Sequence, residues 1–231
     1  MKKLFLTTVL CVLFASFLTA QNRIPTANFT NIEVRNAFNV VLVPSDKHEV
    51  VIPQDLKLPD GLTPKDIVSV KNGTLTIGIP ESYLRKNNHR VNKKQPSIMI
   101  YFKSLESLTL SGASSAESEQ TLKGLSKLRL SGASNAKIDM SVDKLSSEIS
   151  GASKLVLTGR VNQHKINASG ASNASMKDLK TQQADVQISG ASSANISTQN
   201  VSGNVSGASS LKGTWKESNV KTSGASSVKR R

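Results

Sequence analysis

Asp139 and Asp143 come nearest, by type and spacing, to a catalytic pair in this 231-residue sequence. Two carboxylates can divide the acid and base work of cleaving a polysaccharide when they are held about 5–9.5 Å apart on one face of a scaffold. No flanking motif sets such a separation, and isolated aspartates are ordinarily solvated. His48, His89 and His164 stand alone, without a HExxH or a paired ligand spacing. Neither a metal nor any other cofactor is therefore expected. Serine is abundant, yet no GxSxG elbow presents one as a nucleophile. Glycine-rich phosphate loops and calcium-binding nonapeptides are also missing. The expectation is a protein that is not an enzyme. A polysaccharide lyase or hydrolase is the alternative, and it would need acids and bases gathered in one groove.

The other chemistry is cationic. YLRKNNHRVNKKQP, residues 83–96, crowds Arg85, Lys86, Arg90, Lys93 and Lys94 together and ends at Pro96. It reads as a polar loop between strands. Its functional reading is an anion-contacting patch for phosphate or carboxylate; its plain reading is a solvated charge run. Lys229, Arg230 and Arg231 add a second basic end. The formal charge is +14, or +12 once Lys2 and Lys3 leave with the leader. Such a surplus favours anionic polysaccharide, lipid headgroups or an acidic surface protein. Aromatic residues make up only 4%, and Trp215, Tyr83 and Tyr101 are the only rings with a polar handle. Stacking on bases or sugars is thereby disfavoured, and no nucleic-acid partner is expected.

Whatever these side chains do, a repeat must position them. SGAS begins at Ser111, Ser131, Ser150, Ser169, Ser189, Ser206 and Ser223, at steps of 20, 19, 19, 20, 17 and 17 residues. A period near 20 is that of a stacked solenoid, whose repeats bury their apolar faces only against each other. The flanks alternate with period two, as in Leu128 and Leu130 before one copy and Ala136, Ile138 and Met140 after it. That excludes a helical solenoid. The pattern is strand, bend, strand, and it predicts an all-β, right-handed, single-stranded parallel β-helix of about 17–20 residues per coil. At about 4.8 Å between coils, seven would stack to roughly 29 Å.

Within SGAS the parity of Leu128 and Leu130 passes through Gly132 and Ser134 to Ala136. An extended motif would therefore turn the glycine and second serine inward, where hydroxyls could bond along the stack. A true corner with φ > 0 at glycine is the other possibility.

Residues 30–110 lack SGAS but contain strand-like runs at 32–34, 38–43, 48–52, 67–70 and 73–79, with a tight-turn signal in NGT at 72–74. They are expected to form irregular opening coils that cap the stack. The N-terminus, MKKLFLTTVLCVLFASFLTAQN, reads as a signal peptide cut after Ala20. Cys11 lies inside it, which leaves the mature chain without cysteine, disulfide or thiolate chemistry. The expected organisation is a leader at 1–20 and one β-helix at 21–231, divided into opening coils at 21–110 and SGAS coils at 111–231. No transmembrane segment is expected after cleavage.

The SGAS series ending in SGASSVK, behind FTNIEVRNAFNVVLV and KNGTLTIGI, resembles the putative auto-transporter adhesin, head GIN domain family from about Phe29 to Val228. The resemblance implies a right-handed parallel β-helix in an exported protein of Bacteroidetes-like bacteria. It carries over no catalytic residue and no membrane barrel. With it, the expected function is a non-enzymatic envelope or surface module that binds a polymer or protein along one face. Its place would be the periplasm, the outer membrane or the exterior. A purely structural rod is a further alternative.

Overall fold

Alternating aliphatic residues on both sides of every SGAS copy can all leave water together only if successive coils lie flush. They do so in the computed structural model, which describes residues 22–86 and 95–231. The described residues are 59% strand and 2% helix and wind into a β-solenoid of about 7 turns. Its opening strands are β1 (Asn22–Pro25), β2 (Asn31–Val34), β3 (Asn39–Pro44), β4 (Glu49–Ile52), β5 (Val68–Lys71) and β6 (Thr74–Ile77), followed by a short helix, α1 (Glu81–Lys86). Then come β7 (Ser97–Phe102), β8 (Ser107–Leu110), β9 (Ser115–Ser118) and β10 (Lys127–Leu130). The regular coils are β11 (Asn135–Ile149), β12 (Lys154–Ala168), β13 (Asn173–Ile188) and β14 (Ser193–Val205), and β15 (Ser210–Thr214), β16 (Glu217–Thr222) and β17 (Ser227–Arg230) close the stack.

Each coil has one run before its SGAS corner and one after it, and both pair in parallel with the coils on either side. β11 meets β12 from Asn135↔Lys154 to Ile149↔Ala168 in unbroken order. Inward positions therefore form columns. Val40, Ala116, Ala136, Leu155, Ala174, Ala194 and Leu211 lie one above another and are all buried. Along this column two alanines separate each larger residue from the next, which lets neighbours interlock. Each buried leucine or isoleucine side chain contributes about 1.5–3 kcal/mol.

The SGAS motif is a corner. Its seven glycines have φ between 69° and 75°, at Gly112, Gly132, Gly151, Gly170, Gly190, Gly207 and Gly224. The expected inward glycine is thus corrected: the left-handed turn puts it on the exposed outer edge. The second serine does face inward, as Ser114, Ser134, Ser153, Ser172, Ser192 and Ser209 are at most 2% exposed. The positive φ reverses direction at glycine, so strand parity resumes at the second serine instead of running through the motif. These hydroxyls bond locally, as Ser134 Oγ to Ser131 O at 2.7 Å, or between coils, as Ser172 Oγ to Ser192 Oγ at 3.1 Å.

The corner column starts one level earlier than the SGAS series. Asn36 and Ala37, in RNAF, adopt φ of 65° and 78° and lie beneath Gly112, with Ser111 N bonding Val34 O and Ser115 N bonding Phe38 O. Asn36 Oδ1 accepts a hydrogen bond from Ile79 N at 3.1 Å. Alanine is strained at such a φ, so Ala37→Gly is expected to raise stability by up to about 1 kcal/mol; urea midpoints would read the gain.

The opening segment is only partly coil-like. β2 and β3 join the parallel stack, whereas β4 runs antiparallel to β7 and β1 antiparallel to β4. β5 and β6 form an antiparallel hairpin whose turn is Asn72 (φ 49°) and Gly73 (φ 70°), the pairing that NGT predicts. Strands of reversed direction end the parallel stack at this pole. The stretch at 83–96 also differs from a plain loop, since its first residues close α1, where Tyr83 N and Leu84 N bond Pro80 O. Residues 87–94, with His89, Arg90, Lys93 and Lys94, lie outside the described residues, as do the Lys86 side chain and the leader with Cys11.

Candidate functional site

Parallel register turns every outward position into a ladder. In the run before each corner, one ladder is Lys144, Gln163, Gln183, Asn200 and Glu217, and the next outward one is Ser146, Lys165, Asp185, Ser202 and Asn219. All are exposed apart from partly covered Ser146. Between them the buried Leu145, His164, Ala184 and Val201 make the floor. The ladders wall a trough of 650 Å³. Five rungs at about 4.8 Å give it a length of about 19 Å. Its walls are amides and hydroxyls with two cations, Lys144 and Lys165, and two acids, Asp185 and Glu217. Such a surface offers donors and acceptors in repeating order and no net charge, which suits an extended polar chain.

His164 is the one ionisable side chain buried in the floor, at 3% exposure. Its Nε2 is 2.8 Å from Ser147 Oγ, itself wholly buried. Burial pushes its pKa down to about 3, so the ring is neutral at physiological pH. The pair resembles a serine nucleophile with its base, but both members face the core, where substrate has no access. Sequence reading treats His164 as one isolated histidine among three; only the register with Ser147 17 residues earlier reveals the pair.

Each of the two carboxylates is held by its own hydrogen-bond partners. Asp139 accepts hydrogen bonds from Thr158 Oγ1 at 2.8 Å and from Thr121 Oγ1, and Asp143 accepts one from Asn162 Nδ2 at 2.8 Å. Neither lines the trough. His48 packs edge-on against Phe29 at 4.7 Å, with its pKa lowered by burial and then by Lys103. Among the described residues no group of three His, Cys, Asp or Glu could hold a metal ion. Arg85 is exposed on α1, away from the trough lining. Of the three polar rings, Trp215 is buried at 6%, Tyr83 OH donates to Asp60 O at 3.0 Å and Tyr101 is half-buried. Arg129 on β10 forks onto Glu148 of β11 at 2.8 and 3.4 Å, and this hydrogen bonding holds the Glu148 carboxyl below its usual range.

The fold is a β-solenoid with a reversed-strand cap, a glycine corner column and a polar lateral trough. The chain belongs to the putative auto-transporter adhesin, head GIN domain family, whose pattern matches residues 28–214. Solved structures share the fold. A putative adhesin from Bacteroides fragilis superposes with a TM-score of 0.72 at 18% identity, covering 91% of this chain and 96% of that one. A putative lipid binding protein from Parabacteroides distasonis gives 0.67 at 17%, covering 91% and 96%. A putative adhesin from Parabacteroides merdae gives 0.67 at 16%, covering 92% and 95%. Among curated proteins, none matches the chain.

Proposed function

We propose that this chain is an exported, non-enzymatic surface module that binds an extended polar polymer, a glycan first of all, along the trough on its solenoid wall. The observation that carries the reading is the pair of in-register polar ladders from Lys144 to Glu217 and from Ser146 to Asn219. A stacked coil can present the same hydrogen-bonding group at each level, which is what a repeating ligand requires. Membership of an adhesin family supports the same reading, as does the leader-like N-terminus. No helix among the described residues is long and apolar enough to cross a membrane.

The positive charge, +14 for the full sequence and +12 without the leader's Lys2 and Lys3, draws anionic surfaces toward the protein from a distance. Arg85, Lys86, Arg90, Lys93 and Lys94 would add an anion contact of their own. The relative described as lipid binding makes a headgroup the competing ligand.

The test is to present the mature protein with arrayed neutral and acidic glycans and with phosphatidylglycerol vesicles at low salt, where charge contacts are strongest. Ser202→Trp fills the trough from an exposed position without entering the core. Glycan binding that weakens about tenfold or more in this variant is expected, since a blocked groove loses several hydrogen bonds at once. Binding to vesicles alone, or glycan binding undiminished by Ser202→Trp, contradicts the reading.

A further inference from the structure

The repeat shortens partway along the chain. SGAS copies lie 19 or 20 residues apart as far as Ser189 and 17 apart after it. In the structure the change falls between β13 and β14. Met176 pairs with Ile196 and Thr181 with Thr198, so β13 spends residues 177–180 on a gap that β14 crosses with Ser197 alone. The surplus residues form a ledge, as bulges do when they re-aim side chains beside a site. Next to it is a depression of 490 Å³.

Lys180 stands at the end of the ledge, directly above Arg160 of the preceding coil. Both are exposed and both line the depression. Gln182, Gln199 and Ser197 complete the polar wall, and the lining includes no carboxylate. Thr198 Oγ1 lies 3.2 Å from Gln182 O and 3.1 Å from Asn200 O, which ties the backbone of the floor. Among the described residues neither Arg160 nor Lys180 enters an ion pair. The nearby acids are engaged elsewhere, Asp139 with Thr158 and Thr121 and Asp178 with Lys177 at 3.8 Å. Like charges on adjacent strands repel. An anion seated between them would remove that cost and meet a forked guanidinium, an ammonium and two side-chain amides.

We infer that this depression is an oxyanion subsite that reads the carboxylate of an acidic sugar residue on a polymer held in the trough. The inference rests on the trough reading, because the two share Gln183 and Asn200, so a chain in the trough would pass beside the cations. Phosphate presents the same oxyanion chemistry, and a lipid headgroup is its other source.

The experiment titrates the full chain with tetragalacturonate, with its uncharged methyl ester and with phosphatidylglycerol vesicles. The wild type is expected to prefer the acid over the ester by about tenfold, the yield of two partly exposed charge contacts. Arg160→Gln/Lys180→Gln should bind acid and ester alike, with ester affinity unchanged. Lys212→Gln/Lys229→Gln, which removes equal charge elsewhere, should keep the preference. A preference that survives Arg160→Gln/Lys180→Gln, its absence from the wild type, or tighter binding to the vesicles overturns the assignment. Ser202→Trp separates the two readings. If it weakens acid and ester together while Arg160→Gln/Lys180→Gln still prefers the acid, the trough stands and the subsite fails. If it leaves acid binding intact while Arg160→Gln/Lys180→Gln loses the preference, the subsite stands and the trough fails.

Discussion

Gly151→Ala destabilises the solenoid by about 3 kcal/mol or more, measured as the shift in urea midpoint. An L-residue at φ 69° costs about 1–2 kcal/mol before any contact is counted. The added Cβ would then lie 2.3 Å from Gly132 O and 3.0 Å from Gly132 N. Gly132 O is already held by Ala152 N at 2.7 Å, the hydrogen bond that joins the two coils at the corner. The chain cannot retreat without losing that bond and parting the columns on either side, which adds about 1 kcal/mol or more.

Two controls grade the effect. At Gly224, on the last coil, the nearest atom would be 3.1 Å away, so the alanine variant suffers less. At Gly61, also at positive φ but with nothing within 4 Å, only the backbone term of about 1–2 kcal/mol remains. Equal losses at all three sites would mean that glycine acts here through chain flexibility and not through coil-to-coil contact.

Acid should loosen the same rod through His164. The folded ring resists protonation until about pH 3, whereas the unfolded chain takes up the proton near pH 6.5. The folded pKa is the lower one, so stability is complete above pH 6.5 and falls as the pH drops from there toward 3. At 1.36 kcal/mol per unit, the limiting loss is about 4–5 kcal/mol. His164→Gln keeps a hydrogen-bonding partner for Ser147 Oγ and cannot titrate. Its urea midpoint should therefore change less than that of the wild type between pH 6.5 and 4. His48, half-covered and lowered for the same first reason, adds a smaller share of the same sign. Parallel pH profiles for wild type and His164→Gln would show that the buried pair is not the source.

The period of SGAS and the alternation around Leu128 and Leu130 were enough to read a parallel stack, because both are properties of one coil repeated. The direction of the glycine was not readable. Parity counting assumes extended backbone, and the positive φ at Gly132 breaks that count while returning Ser134 to the inside. The reversed strands β1, β4 and β5 also escaped, since a run such as HEVVI specifies a strand but not its direction. RNAF at 35–38 could have been recognised as a corner from its place directly after the strand-like FTNIEV, but it shares only the alanine of SGAS. The trough exists only once Lys144, Gln163, Gln183, Asn200 and Glu217 are in register, and no single coil shows it. The ledge did leave a trace, in the change of step from 20 to 17 after Ser189. Asp139 and Asp143 are acidic and near in sequence, but their threonine and asparagine partners come from neighbouring coils and could not be read from one coil alone.

Recognition along a wall differs from recognition in a pocket in how affinity depends on ligand length. Calorimetry with galacturonate oligomers of increasing size measures this directly. Affinity should rise with each added unit until the ligand spans the five rungs, about 19 Å, and then level off. A single sugar that binds as tightly as the longest oligomer would contradict a ladder of equivalent contacts.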